Sequence, residues 1–224
     1  MVQKVCVLLA GICFLLSTAF SQVKMTAAEK EAYNKSIFQR AEKIVNTLDI
    51  TNRNKAHKVK KIIVDQYSNL NIIHTKQEVE AKELKTNSEL TKNELQEALR
   101  NNDSASVKSL NKLHGRYLKK LSKKLTSEQV EKVKDGMTYG VLPITYKGYQ
   151  DMIPTLTDPQ KAQILAWLTE AREHAMDAGS SEKKHAWFGK YKGKINNYLS
   201  AQGYDSQKER AKWELRMKAA GKSF

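Results

Sequence analysis

The stretch VKKIIVDQYSNLNII, residues 59–73, carries the pattern that predicts the fold of this chain. Its apolar side chains recur at intervals of three and four residues, which places them on one face of an α-helix. They are Val59, Ile62, Ile63, Tyr67, Leu70 and Ile73. Because so strong an apolar face must be buried against other helices, the stretch predicts a helical bundle.

The same period continues on both sides of this stretch. Apolar stripes follow the capping box Thr26–Glu29, and they recur over residues 107–121, 127–137, 158–178 and 181–203. A last helix is expected to start at the second predicted capping box, Ser206–Glu209. We therefore predict an all-α fold, a bundle of about six or seven helices in one domain over residues 22–224.

Two segments interrupt the stripes. Between residues 75 and 106 the apolar residues are widely spaced among charges, which predicts a protruding, solvated helical arm with its turn at Asn101–Ser104. Residues 136–154 contain Gly136, Gly140, Pro143, Gly148 and Pro154, which predicts an irregular loop.

A short motif, LTxxQ, occurs at Leu125–Gln129 and at Leu156–Gln160, with a looser copy at Ile50–Asn54. Threonine can accept a hydrogen bond from the amide three residues later, and the glutamine can return one to the threonine amide. The motif is expected to start helices rather than to form a binding site.

The first 21 residues have the features of a secretory signal peptide. Lys4 precedes an apolar run, and Ala19 and Ser21 provide the small residues that precede a cleavage site, so we expect Gln22 to begin an exported protein that is periplasmic or secreted. Both cysteines, Cys6 and Cys13, lie in this segment, which excludes disulfides and thiolate chemistry from the mature protein. No later segment is apolar enough to span a membrane.

The chain has a formal net charge of +15, which favours polyanionic partners. Acidic glycans, lipopolysaccharide and unfolded acidic proteins are candidates, whereas nucleic acid is not expected for an exported protein. The alternative is that abundant lysine only keeps a helical surface solvated.

Catalytic and metal-binding patterns are absent from the sequence. There is no GxSxG elbow, no phosphate-binding loop, and no pair of histidines four residues apart. We therefore expect a non-enzymatic protein without a cofactor or metal, although a carboxylate-based activity would leave no signature in one helical sequence.

Aromatic residues near cations are the best candidates for a binding site, because sugars stack their C–H faces on exposed rings. The candidate ligand-binding residues are Tyr139, Tyr146, Tyr149, Trp187, Tyr191, Arg172 and Lys190. The alternative is that these rings pack into the core.

Three segments carry a resemblance to a known family: Lys58–Tyr67, Tyr139–Pro143, and Gly203–Asp205 followed by Trp213. Across nearly the whole mature chain, the sequence resembles a secreted Bacteroidetes family, domain of unknown function 3826, for which sugar binding is suggested. The family is associated with polysaccharide degradation and has no established catalytic residues. The LTxxQ motifs also resemble the Spy/CpxP family of periplasmic chaperones, which hold unfolded proteins on a basic concave surface.

We expect a secreted binding protein whose ligand is a carbohydrate, with acidic groups suiting the nearby lysines, and whose role is in polysaccharide utilisation. Two alternatives stay open. One is a Spy-like holdase that shields unfolded exported proteins. The other is a scaffold that uses the arm over residues 75–106 to hold a protein partner.

Overall fold

The computed structural model describes residues 25–221, and within that range the apolar stripes form α-helices with no strand. The eight helices are α1 (Ala27–Asn46), α2 (Arg53–Thr86), α3 (Lys92–Ser122), α4 (Ser127–Met137), α5 (Val141–Met152), α6 (Asp158–Met176), α7 (Ser181–Ala201) and α8 (Ser206–Ala219). The all-α prediction is confirmed, with one helix more than the upper expected number. The expected signal peptide lies outside the described residues.

Helices α1 to α4 form a first closed ring, in which each helix packs on the next and α4 returns to α1. Their shared core contains Ile37, Leu48, Ile63 and Leu121, each at most 2% exposed. The stretch over residues 59–73 therefore lies at the centre of this ring, as its apolar face predicts.

Helices α5 to α8 form a second closed ring by the same pattern, with α5 packed on α8. Its core is built around Ile164, Leu168, Phe188 and Ile195, all of which are almost fully buried. Helix α8 has no buried residue of its own. It is held partly by Arg216, whose guanidinium donates to the carbonyls of Asp151 and Met152 at the end of α5.

The two rings meet where α4 packs on α5 and α6. Met176, at the end of α6, is fully buried in the first core, whereas Leu168 and Ala175 of the same helix are buried in the second. Helix α6 thus belongs to both cores and fixes how the rings lie against each other.

The predicted arm is a helical hairpin, but its turn was predicted at the wrong place. Asn101–Ser104 lie inside α3, and the chain reverses at residues 87–91, where Asn87 ends α2 and Thr91 caps α3. Asn102 is a helical residue of α3, and its side-chain amide donates to the Gln77 carbonyl across the hairpin. Asn, Asp and Ser are typical of turns, so the composition of residues 101–104 predicts a turn although the segment is helical.

The predicted irregular loop over residues 136–154 is also wrong, because most of it forms α5. Gly140 has a φ of 65° and precedes the helix, so it takes up the sharp bend after α4. Pro143 lies in the first turn of α5, where the backbone amide has no intrahelical acceptor and proline costs little.

The LTxxQ motifs start helices as expected. Thr126 and Thr157 are the N-caps of α4 and α6, and each forms a complete capping box with its glutamine. The looser copy is shifted by one residue, since Asn52 rather than Thr51 caps α2. Similarly, Asp205 caps α8 in place of the expected Ser206. In both cases the Asx side chain reaches the free amides of the first turn.

In residues 25–221, none of the helices combines the length and apolar character needed to cross a bilayer.

We expect Thr126→Ala to lower the free energy of unfolding by about 1 kcal/mol, because the cap of α4 is lost. The box also positions Gln129, whose amide donates to the Leu48 carbonyl at 2.7 Å and ties α4 to α1. Urea denaturation measures the effect. Thr126→Ser keeps the hydroxyl and is the control, and equal stability of the two variants would contradict this role of the cap.

Candidate functional site

A groove of about 480 Å³ lies between the hairpin and the α6–α7 corner. This volume is within the range of roughly 300–1,000 Å³ that small-molecule sites occupy. Its walls come from four helices: α2 and α3 of the first ring, and α6 and α7 of the second. The polar and aromatic residues that line it are His74, Gln77, Asn111, His174, Asp177, Lys183, Trp187 and Lys190.

The groove exists because the chain turns sharply between α6 and α7. Asp177 is the C-cap of α6, and Ser180 caps α7 by accepting from the Lys183 amide. Gly179 lies between them and is packed closely against α2. A Cβ at this position would stand 2.9 Å from Cγ of His74, so the corner can approach the hairpin only without a side chain.

Lys184 holds the corner from inside. Its side chain is buried, and Nζ donates to the Ala175 and Met176 carbonyls at 2.8 and 3.0 Å, in the last turn of α6, where carbonyls lack the amide donor four residues later. Burial lowers the pKa of Lys184 to about 8. The ammonium therefore completes the C-terminus of α6 and anchors the start of α7.

One wall of the groove is aromatic. The rings of Trp187 and His174 stack with centroids 4.3 Å apart and an interplanar angle of 16°. Tyr191 lies behind His174, with ring centroids 6.3 Å apart. Lys190 Nζ lies over the Trp187 ring, 5.1 Å from its centroid, which places a cation on a face of the indole.

Asp177 is the acidic group of the groove. Its Oδ2 lies 2.8 Å from His114 Nδ1, and its backbone carbonyl oxygen lies 2.7 Å from His74 Nε2. The second carboxylate oxygen, Oδ1, is buried and accepts no hydrogen bond from the described part of the chain. This oxygen is therefore an unsatisfied buried acceptor, and the groove does not expose it.

His114 lies below Asp177 and is ionised. Hydrogen bonds to Asp177 and Glu173 raise the pKa of His114 to about 9. Burial alone would raise the pKa of Glu173, but its contacts with His114 and Lys134 prevail and lower the pKa to about 2. At neutral pH, an imidazolium between two carboxylates therefore holds Asp177 in place.

Arg172 extends this network to α4. Its guanidinium is 3% exposed and pairs with Glu131 and with Asp135, the latter at 2.6 Å. Lys134 of α4 pairs with Glu173 of α6 at 3.1 Å. The charged network is therefore the polar part of the contact between the two rings.

The structure brings three of the seven candidate residues to the groove or directly behind it. Trp187 and Lys190 line it, and Tyr191 supports the His174 ring from the buried side. Arg172 points instead into the contact with α4, where both carboxylate partners neutralise it.

The three tyrosines near residue 145 lie elsewhere. Tyr149 is buried in the second core, where its hydroxyl donates to Asn196 at 2.8 Å, and Tyr146 packs against the same core. Tyr139 is 44% exposed and stacks on His185 at 5.6 Å, outside the groove lining. The sequence predicted one loop that would bring the three tyrosines together, but Tyr146 and Tyr149 lie on α5 and Tyr139 lies in the turn before it.

Sequence reasoning missed His74, Gln77, Asn111, His174 and Asp177. They lie on α2, on α3 and at the end of α6, and none has a spacing that marks a site. The one signal was Gly179–Ser180, a helix break that brings the last turn of α6 opposite the first turns of α7. That break predicts contact between His174 and Trp187 once both helices are recognised.

Residues 34–219 match the model of one family, described as Protein of unknown function (DUF3826). The chain belongs to the DUF3826 family. No curated protein is significantly similar to this DUF3826 member. The matched range contains every residue of the groove, so the site lies wholly within the family's domain.

The described residues contain no group of three His, Cys, Asp or Glu side chains placed to hold a metal ion.

The ionised state of His114 predicts a pH dependence of stability. Its folded pKa lies above the value of about 6.5 for an unfolded histidine, so its contribution is complete below pH 6.5 and is lost as pH rises towards 9. Between about pH 6 and pH 8, we expect the free energy of unfolding to fall by about 1 kcal/mol, allowing for solvent screening.

The measurement is denaturant unfolding across this pH range, with His114→Gln as the control that keeps a donor for Asp177 but does not titrate. Lys184, whose pKa is lowered to about 8, has the opposite effect at higher pH, so the comparison stops at pH 8. An equal slope in both proteins would exclude His114 as its source.

Proposed function

We propose that the protein is an exported, non-enzymatic carbohydrate-binding protein that holds an acidic sugar in the groove. The observation that carries the proposal is the stacked pair of Trp187 and His174, which forms an aromatic wall beside polar and cationic side chains. Sugar rings have flat C–H faces and peripheral hydroxyls, and this wall and its surroundings offer a contact for each.

The polar groups of the groove suit hydroxyl recognition. Gln77 and Asn111 provide amides that can both donate and accept, and the ammonium groups of Lys183 and Lys190 donate. An aromatic wall with a few polar groups converging on one volume is the common design of a small-molecule site.

The charge of the groove favours an acidic sugar. Lys183 and Lys190 line it, whereas Asp177 is the one carboxylate among the lining residues and is already paired with ionised His114. Lys183 also forms an exposed ion pair with Glu78 at 3.4 Å, an interaction weak enough to yield to a ligand carboxylate or sulfate.

Export and a role in polysaccharide utilisation belong to the same proposal, supported by the signal-like N-terminal segment and by the composition of the groove. Nothing in the groove resembles a nucleophile with its base, so binding without turnover is the simpler function.

We expect a saturable change in tryptophan fluorescence when the protein is titrated with the matching sugar, tested with oligogalacturonates and neutral oligosaccharides. The chain has three tryptophans, so the double variant Trp167→Phe, Trp213→Phe leaves Trp187 as the one tryptophan. The change should persist in this variant, because the ligand stacks on the remaining ring.

Trp187→Ala should weaken binding at least about fivefold in calorimetry, because a stacked aromatic contact is worth about 1 kcal/mol or more. Trp167→Phe is the matched control, since Trp167 packs edge-on against Tyr198 in the second ring. A flat response to every sugar would reject the proposal. Suppression of client aggregation in its place would indicate the holdase alternative.

The acid preference has its own test. The double variant Lys183→Gln, Lys190→Gln should lose about tenfold in affinity for an acidic sugar and little for its neutral counterpart, because only the ionic contact is removed. Lys194→Gln is the control, since Lys194 lies over Trp167 at 4.7 Å and does not line the groove. Equal losses of affinity for the acidic and the neutral sugar would show that the lysines do not bind the acidic group.

A further inference from the structure

The C-terminal half of α3 has an unusual charge pattern. Residues 104–127 contain seven Lys or Arg and no Asp or Glu: Lys108, Lys112, Arg116, Lys119, Lys120, Lys123 and Lys124. Elsewhere the structure forms many short-range ion pairs, yet none of these seven cations pairs with a carboxylate in residues 25–221. Each of the seven is exposed.

Five of them share one side of the helix. At about 100° per residue, Lys108, Lys112, Arg116, Lys119 and Lys123 lie roughly 100–180° around the helix from Tyr117. Tyr117 is 2% exposed and marks the buried side. These five cations, which we call the basic face, extend over about 22 Å of helix.

The basic face is separate from the groove. Helix α3 contributes Val107, Leu110 and Asn111 to the groove lining, and none of the seven cations is among the lining residues. A ligand of the basic face therefore need not enter the groove, and its binding does not depend on the function proposed there.

Unpaired like charges at i, i+4 repel one another and destabilise an isolated helix. The cost falls when a polyanion neutralises them and releases its counterions. A line of cations along one helix matches a linear chain with an acidic group on each unit.

The remaining side chains of this face select among polyanions. No large hydrophobic residue between positions 108 and 124 is exposed, so the face lacks the apolar side chains with which amphipathic helices enter a bilayer. Tyr117 lies on the opposite, buried side of α3, so the basic face offers no ring on which unpaired bases could stack.

We propose that the basic face of α3 binds a linear acidic polysaccharide, through the carboxylate or sulfate groups along its chain. Contact is ionic and follows the helix axis, so affinity depends on charge spacing and on salt rather than on a particular sugar.

The test measures binding of polygalacturonate and dextran sulfate to the whole protein by calorimetry, at low salt and at about 0.15 M salt. We expect affinity to fall steeply with salt, with neutral dextran not binding. The triple variant Lys112→Glu, Arg116→Glu, Lys119→Glu should bind at least about tenfold more weakly.

A second triple variant, Lys82→Glu, Lys85→Glu, Lys92→Glu, is the matched control. It reverses the same number of exposed cations on the hairpin, outside the basic face. At about 0.15 M salt, we expect its affinity to stay within about threefold of the original protein, because charges beyond the Debye length of about 8 Å are screened. Circular dichroism and thermal unfolding verify that both variants keep the helical fold.

Several outcomes would overturn the proposal: equal weakening in both triple variants, binding of neutral dextran, tighter binding of duplex DNA or of anionic vesicles, or no binding of either acidic polymer at low salt. Trp187→Ala separates the two sites. Loss of oligosaccharide binding with retained polymer binding supports both, whereas loss of polymer binding would place the polymer in the groove and reject the basic face.

Discussion

The arrangement of the two rings depends on the burial of Arg172. A guanidinium that is 3% exposed must be neutralised, and Glu131 and Asp135 of α4 neutralise it. A buried pair of this kind adds little net stability over an apolar contact, but it fixes the register of the elements that carry it. Helix α6 carries Arg172, and it also places Met176 in the first core and Ala175 in the second. The position of this one helix therefore sets the width of the groove.

Features that depend on neighbouring residues were predictable from the sequence. The boxes at Thr126 and Thr157 satisfy backbone amides within one turn, so the same letters that predict them also form them. The apolar stripe over residues 59–73 was predictable for a similar reason, since its period alone requires a buried helical face. The all-α class follows from these local signals.

Features that depend on context were not. Gly140 and Pro143 disrupt helices in their interior but are tolerated at a helix start, so the same residues predicted a loop and form the beginning of α5. Asn102 favours a turn by composition, yet its hydrogen bond across the hairpin holds it in α3. The groove could not be predicted from the sequence, because its residues meet only through the packing of four helices. They include His74, Asn111, His174 and Trp187. Trp187 and Lys190 could be chosen because both lie on one helix.

The walls of the groove belong to different rings, and this makes any ligand there a mechanical link. A molecule that contacts Asn111 on α3 and Trp187 on α7 adds a link between two cores that already meet through α4, α6 and the polar contacts of His74, His114 and Lys183. Ligand free energy would then add to the cooperativity between the rings as well as to the stability of either one. Occupancy would then raise the free energy that is needed to separate the hairpin from the second ring.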